Sequence, residues 1–265
     1  MSDNFEYYEL DPPKKGDLPQ LPPLFKAQEV LKKQNTFHKA ISSASSGDVG
    51  TVFYSENKGI LNIAITLGPE VIKSKALQVH YLMTLGLSDA LAALAPPEIE
   101  ISHLWPNFMF MNRGLMGKIL LFDSGEDRNK VPSWIVSGVQ IRRKVECEKF
   151  HKTIEATSLE DEGAAFLSNV RIIEAITRHF LVWLNAWQED GFNPVHETWL
   201  ERLVPNFSVN DISNEFKENG KLPPKQKKSE EQCLDRFDNI RFAKGEVSVS
   251  DIRLKMQKTM QSYCA

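Results

Sequence analysis

The segment His103-Leu104-Trp105-Pro106-Asn107 carries residue types well suited to hold a small polar molecule. An indole supplies a flat apolar surface, proline fixes φ, and the asparagine amide offers two donors and an acceptor. Set between two strand-like runs, such a turn suits the floor of a pocket. The stretch Asn112-Arg113-Gly114-Leu115-Met116-Gly117-Lys118-Ile119-Leu120 follows. Gly114 and Gly117 have no Cβ, so the backbone there can approach a ligand closely. The alternative reading of Trp-Pro-Asn is a buried tryptophan beside a turn.

Other chemistries leave no comparable trace. The chain has no GxxxxGK[ST], GxGxxG or GxSxG pattern. His196-Glu197-Thr198-Trp199 begins like a zinc-protease helix, but Leu200 stands where the second histidine belongs. The six histidines are scattered, and no Cys/His cluster suggests a metal site. Phe108-Met109-Phe110-Met111 reads as a buried strand, and Lys225-Gln226-Lys227-Lys228 as part of a solvated linker. A net charge of -3 gives no global basic field, so neither nucleic acid nor an anionic membrane is an expected partner. Cys147, Cys233 and Cys264 are widely spaced and odd in number, which points to reduced thiols in the cytoplasm. The first residues, MSDNFEYYELDPPKKGDLP, lack the apolar core of a secretory signal. No run of about 18 apolar residues is present to span a membrane.

The elements that must position these residues follow from spacing. With 265 residues, 42% hydrophobic and 25% charged, the chain has the composition of a folded soluble protein. Five prolines before residue 25 predict an extended lead-in over 1–23. Phe25, Val30, Leu31, Phe37 and Ile41 predict a helix across 25–45, stopped by Gly47. Residues 50–54 and 60–67 read as strands joined by an Asn57-Lys58-Gly59 turn. Residues 71–94 predict a long helix, ended by Pro96-Pro97. Four strands are expected at 99–102, 108–112, 116–122 and 134–142, with a polar loop at 124–133. Val170, Ile173, Ile176, Phe180, Leu184 and Trp187 predict a helix over 170–189, and Pro194 starts a last short one. Residues 206–265 are expected to be a polar linker and short appendage, leaving 24–205 as the folded domain.

The order of these signals resembles that of the biotin/lipoate protein ligase family. The family's GDxGTVV strand resembles Gly47-Asp48-Val49-Gly50-Thr51-Val52, and its SLxLxP strand resembles Ile63–Pro69. Its KWPND element resembles Leu104–Asn107, and its GKKxAGILxE hairpin resembles Arg113–Leu121. Its GIGxN strand resembles Ser137-Gly138-Val139-Gln140, and its ATSL element recurs as Ala156-Thr157-Ser158-Leu159. The closing helix, with Trp187–Phe192 and then Trp199, is similar as well. The stretch Arg178–Phe192 is most like a divergent bacterial subgroup.

The resemblance implies an α+β fold of the class II synthetase-like biotin/lipoate ligase type: a mixed, mostly antiparallel sheet with helices packed on one side. It implies ATP, with Mg²⁺, as co-substrate, biotin or lipoate as the small-molecule acid, and a biotinyl or lipoyl carrier domain as partner. It also admits a homodimer. Trp105, Pro106, Asn107, Gly114, Gly117, Gly138 and Gln140 would line the acid site. Three departures stand out. The family's Gly-Arg-rich loop over the adenylate is replaced by Ser55-Glu56-Asn57-Lys58-Gly59. The position of the usual catalytic lysine falls on Gly114. Phe108 and Leu104 replace the aspartate and lysine that flank the family's WPN. Lys118 is then the expected charge-neutralising group, with Lys58, Arg142 and Arg143 as further candidates. The alternative for Arg142-Arg143-Lys144 is an exposed basic sheet edge. Two functions remain in view: a divergent ligase or acyltransferase, or a family member that binds the acyl group or carrier without adenylation.

Overall fold

The computed structural model describes residues 18–31, 34–104, 107–144 and 156–203. Within them lie seven strands and five helices: β1 (Lys26–Glu29), α1 (Thr36–Ser45), β2 (Thr51–Asn57), β3 (Ile60–Leu67), α2 (Lys73–Ala76), α3 (Val79–Leu94), β4 (Ile101–Leu104), β5 (Phe108–Met111), β6 (Gly114–Asp123), β7 (Ile135–Arg142), α4 (Asn169–Asp190) and α5 (Phe192–Glu201). The expected appendage over 206–265, and most of the expected lead-in, lie outside the described residues.

The strands form one sheet in the order β1-β2-β3-β7-β6-β5-β4. Only the β1–β2 pair is parallel; every other neighbouring pair is antiparallel. Two tight hairpins explain much of this. Lys58 and Gly59 both have positive φ, 49° and 67°, so β2 and β3 are joined by a two-residue turn of the twist that hairpins favour. Asn112 and Arg113 do the same between β5 and β6, at 47° and 68°.

Alternation divides the sheet into two unlike faces. Ile63, Ile65, Ile119, Leu121, Val139 and Ile141 point to one side, where they form the main core with α3, α4 and α5. Phe53, Ala64, Leu120 and Val136 point to the other, where α1 covers them through Phe37, Ala40 and Ala44. Helices α3, α4 and α5 thus share one side as expected, and α1 adds cover on the opposite one.

The expected helix over 25–45 needs correction. Residues 26–29 are a strand, and the helix begins only at Thr36. Asn35 marks the true start, because its side chain accepts from the amides of Phe37 and His38 at 2.9 and 3.0 Å. Upstream, β1 is fixed by pairing with β2, which is 25 residues on from Lys26 at Thr51. That non-local ladder outweighs a local apolar spacing that happened to fit a helix. The expected 71–94 helix is likewise divided, into α2 and α3.

One buried group sets a pH limit on this fold. His103 is 1% exposed, and its ring donates from Nε2 to the carbonyl of Trp199 at 2.8 Å. Burial, against which that backbone bond works, pulls its pKa from 6.5 down to about 4, with Arg202 and His80 adding to the fall. The folded state therefore holds a neutral ring while the unfolded chain takes up a proton. Stability from this site is complete above pH 6.5, is lost progressively as pH falls from 6.5 to about 4, and falls by a total of ~3 kcal/mol. Urea unfolding at pH 7.5 and 4.0 should show this loss, and His103→Gln should remove that part of the pH dependence.

Candidate functional site

The sheet face that carries α1 continues beyond it as a polar row. Ser55 on β2 lies opposite Asn62 on β3, Asn62 opposite Gln140 on β7, and Gln140 opposite Lys118 on β6. Gln140 donates from Nε2 to Asn62 Oδ1 at 2.7 Å. Ser55 shares a 2.6 Å hydrogen bond with Thr36, the first residue of α1. Three strand spacings of roughly 4.8 Å make this row about 14 Å long. It runs from a lysine ammonium, through two carboxamides, to a hydroxyl pair beneath the start of α1.

An apolar wall completes the face. Leu104, Phe110 and Leu115 form a small buried cluster, with half-buried Phe108 packed against it. Phe108 lies opposite Lys118. A β-bulge makes this possible. Met109 pairs with Gly117 and Phe110 with Leu115, so Met116 has no partner on β5. The extra residue brings Leu115 and Lys118, three apart in sequence, to the same face; bulges re-aim side chains in this way. Two residues beyond Gln140 on the same face is Arg142, which donates from Nη1 to the carbonyl of Leu115 at 2.7 Å.

The expected site residues separate as follows. Lys118, Gln140 and Arg142 share one face. Asn107 borders it: its side-chain amide donates to Ile119 O at 3.3 Å and its backbone carbonyl accepts from Ile119 N at 2.8 Å, which ties Asn107 to β6. Trp105 and Pro106 lie outside the described residues. Lys58 sits exposed at the β2–β3 turn. Arg143 does not join the row. Burial lowers its pKa, while Glu56 and Glu160 work to raise it again. Glu56 pairs with Leu61, a residue of the main core, on the opposite face.

The close approach allowed by the three glycines is to protein atoms. A Cβ on Gly117 would lie 2.2 Å from the Gln140 carbonyl, and one on Gly114 would lie 2.6 Å from the Thr157 side chain. At Gly138 it would meet Ile63 O at 2.4 Å and the Phe37 ring at 2.7 Å. These positions are glycine because strands and α1 close over them. Asn62, Ser55 and Thr36 were not singled out from sequence. The available signal was Asn62 itself, a strand-poor residue inside the apolar run Ile60–Leu67.

Among the described residues, no three His, Cys, Asp or Glu side chains group to hold a metal ion. No helix among them is long and apolar enough to cross a membrane.

The seven-stranded, mostly antiparallel sheet with its packed helices matches the catalytic-domain fold of biotin protein ligases. Residues 21–201 match the biotin/lipoate A/B protein ligase family, and the chain belongs to that family. It is similar to the crystal structure of a biotin protein ligase-like protein from Silicibacter sp. TM1040, at 30% identity and a TM-score of 0.64, over 70% of this chain and 80% of that one. The Leishmania major biotin protein ligase, solved in complex with biotinyl-5-AMP, shares the fold at 15% identity and a TM-score of 0.53, over 71% of this chain and 84% of that one. The biotin–[acetyl-CoA-carboxylase] ligase of Paracoccus denitrificans is 23% identical over 141 residues, or 53% of this chain. The chain spans 59% of that enzyme's length. It spans 7% of the succinate dehydrogenase flavoprotein subunit of Rickettsia bellii, with which it shares a 42-residue stretch at 48% identity.

Proposed function

We propose that this protein binds a biotinyl- or lipoyl-type acid along the polar row and activates or transfers its acyl group to a lysine of a carrier domain. The observation that carries the reading is the placement of Lys118 in register with Gln140 and Asn62, beside an apolar wall, in a chain of this family. The wall accommodates the acyl chain. The carboxamides hydrogen-bond a polar group. Lys118, with Arg142 diagonally behind it, neutralises the carboxylate. Asn107, Gly114, Gly117 and Gly138 hold the strands and turn that define the floor, to which Trp105 and Pro106 are assigned by family resemblance.

In adenylation, the acid's carboxylate oxygen attacks the α-phosphorus of ATP and pyrophosphate leaves. Two like charges must meet, so cations pre-placed near that point lower the barrier. Lys118 and Arg142 fit this anionic part, with Lys58 at the adjoining turn. Mg²⁺ accompanying ATP would be held chiefly by the phosphates and by one or two carboxylates, and would supply further neutralisation of their charge. The proposed setting is the cytoplasm, with residues 24–205 as the working domain and residues 206–265 as an appendage for carrier or homodimer contacts.

The two-residue β2–β3 turn favours a second reading, in which the acid or carrier is bound without adenylation. The two are separated by titrating full-length protein calorimetrically with biotin, lipoate and octanoate, with and without ATP and Mg²⁺, while following pyrophosphate release. Nucleotide-dependent release supports the ligase. Binding without release supports the second reading. An intact fold that binds none of the three acids overturns both.

A further inference from the structure

We infer that His103 is a positioning residue of the ligand face, clamping the outer edge of β4 to the last turn of α5 and so holding β5 and Asn107 in register with β6. The inference rests on the acyl-binding reading of that face. β4 is four residues long and lies at the edge of the sheet, with β5 as its only neighbouring strand among the described residues. An edge strand this short is weakly held by its ladder alone.

The end of α5 secures the other side through His103. The His103 amide donates to Arg202 O at 3.2 Å, and its ring donates to Trp199 O at 2.8 Å. The ring also packs on the Trp199 indole, with centroids 4.6 Å apart, and Leu203 forms a parallel bridge with His103. The α5 turn is anchored in its own right. Arg202 donates to Asp89 on α3 at 2.6 Å, and the same carboxylate accepts from Trp183 on α4 at 2.6 Å. The clamp therefore fixes β4 to three helices.

The register carries this restraint towards Lys118. His103 lies opposite Met109, and Met109 opposite Gly117, which adjoins both the bulge and Lys118. Four residues past His103, Asn107 makes its two hydrogen bonds to Ile119, the residue after Lys118. β4 is thus held at His103, and Asn107 is held at Ile119.

A histidine is a poor choice here for stability alone. With Nε2 donating, Nδ1 is an acceptor, and it is buried with no partner among the described residues. A leucine would fill similar space without that desolvated lone pair. What the imidazole adds is direction, a bond that sets how β4 meets α5.

The test uses the full-length protein and its His103→Leu and His103→Gln variants, the second keeping an amide donor near the Nε2 position. Hydrogen exchange at the Ile119 amide, which bonds Asn107 O, reports on that contact, and Val139 reports on the core. His103→Leu should speed exchange at Ile119 at least tenfold and leave Val139 unchanged, and His103→Gln should restore protection. Biotin affinity should follow the same pattern. Unchanged protection at Ile119, or equal loss at Ile119 and Val139, overturns the inference. If the wild-type protein binds no biotin, lipoate or octanoate, the acyl-binding reading fails separately, and the exchange data still decide the clamp. Should His103→Leu not fold, Arg202→Met releases the same turn from its outer side and carries the same exchange test.

Discussion

Lys118→Met should lower pyrophosphate release by 10²- to 10³-fold if the protein adenylates an acid, because removing one pre-placed charge contact commonly costs about 3–4 kcal/mol at the transition state. If the protein only binds the acid, affinity should fall roughly 10- to 100-fold, the usual worth of a hydrogen bond to a charged group. Lys118→Arg should keep much of either function, since it keeps the charge. Methionine is close to lysine in length and preserves contact with Phe108, the residue opposite. Loss of folding is therefore not the expected outcome, and thermal unfolding checks it. Equal activity and affinity in Lys118→Met would remove the polar row from the mechanism.

The second large effect is on stability. Gly138→Ala places a methyl group 2.4 Å from Ile63 O and 2.7 Å from the Phe37 ring. One neighbour is backbone in the adjoining strand, and the other is a buried ring on α1, so neither yields cheaply. Overpacking of this kind typically costs up to about 3 kcal/mol. For a domain of this size that lowers Tm by roughly 6–12 °C. Differential scanning calorimetry is the direct measurement. Gly68→Ala is the matched control: its Cβ would meet only the Val49 side chain, at 3.2 Å, and that side chain is 49% exposed and free to move. Similar Tm values for the two variants would contradict the packing account. Binding should suffer with Gly138→Ala as well, because lifting Phe37 draws away Thr36, which holds Ser55 at the end of the row.

The two effects differ in how far they were visible beforehand. Lys118 was found through motif order. The resemblance located the hairpin, and the charge beside Gly117 was the nearest available. Which way Lys118 points was not legible, because a strand's alternation resets at a bulge. The bulge exists only in the mismatch between β5 and β6. Gly138 was read as a ligand contact, and its glycine is accounted for by Phe37 and Ile63. Nothing local to Ser137-Gly138-Val139-Gln140 states that α1 lies on it.

Taken alone, the sequence determined the local punctuation: the Asn57-Lys58-Gly59 turn, the strand runs, the α4 stripe and the order of elements that marks the family. These are short-range properties, set by backbone sterics and by the period of apolar residues. Only the tertiary structure decided that β1 is a strand and that Asn62, Gln140 and Lys118 form one row. Each of those rests on pairing between residues far apart in the chain, where register and burial are shared properties of several strands at once.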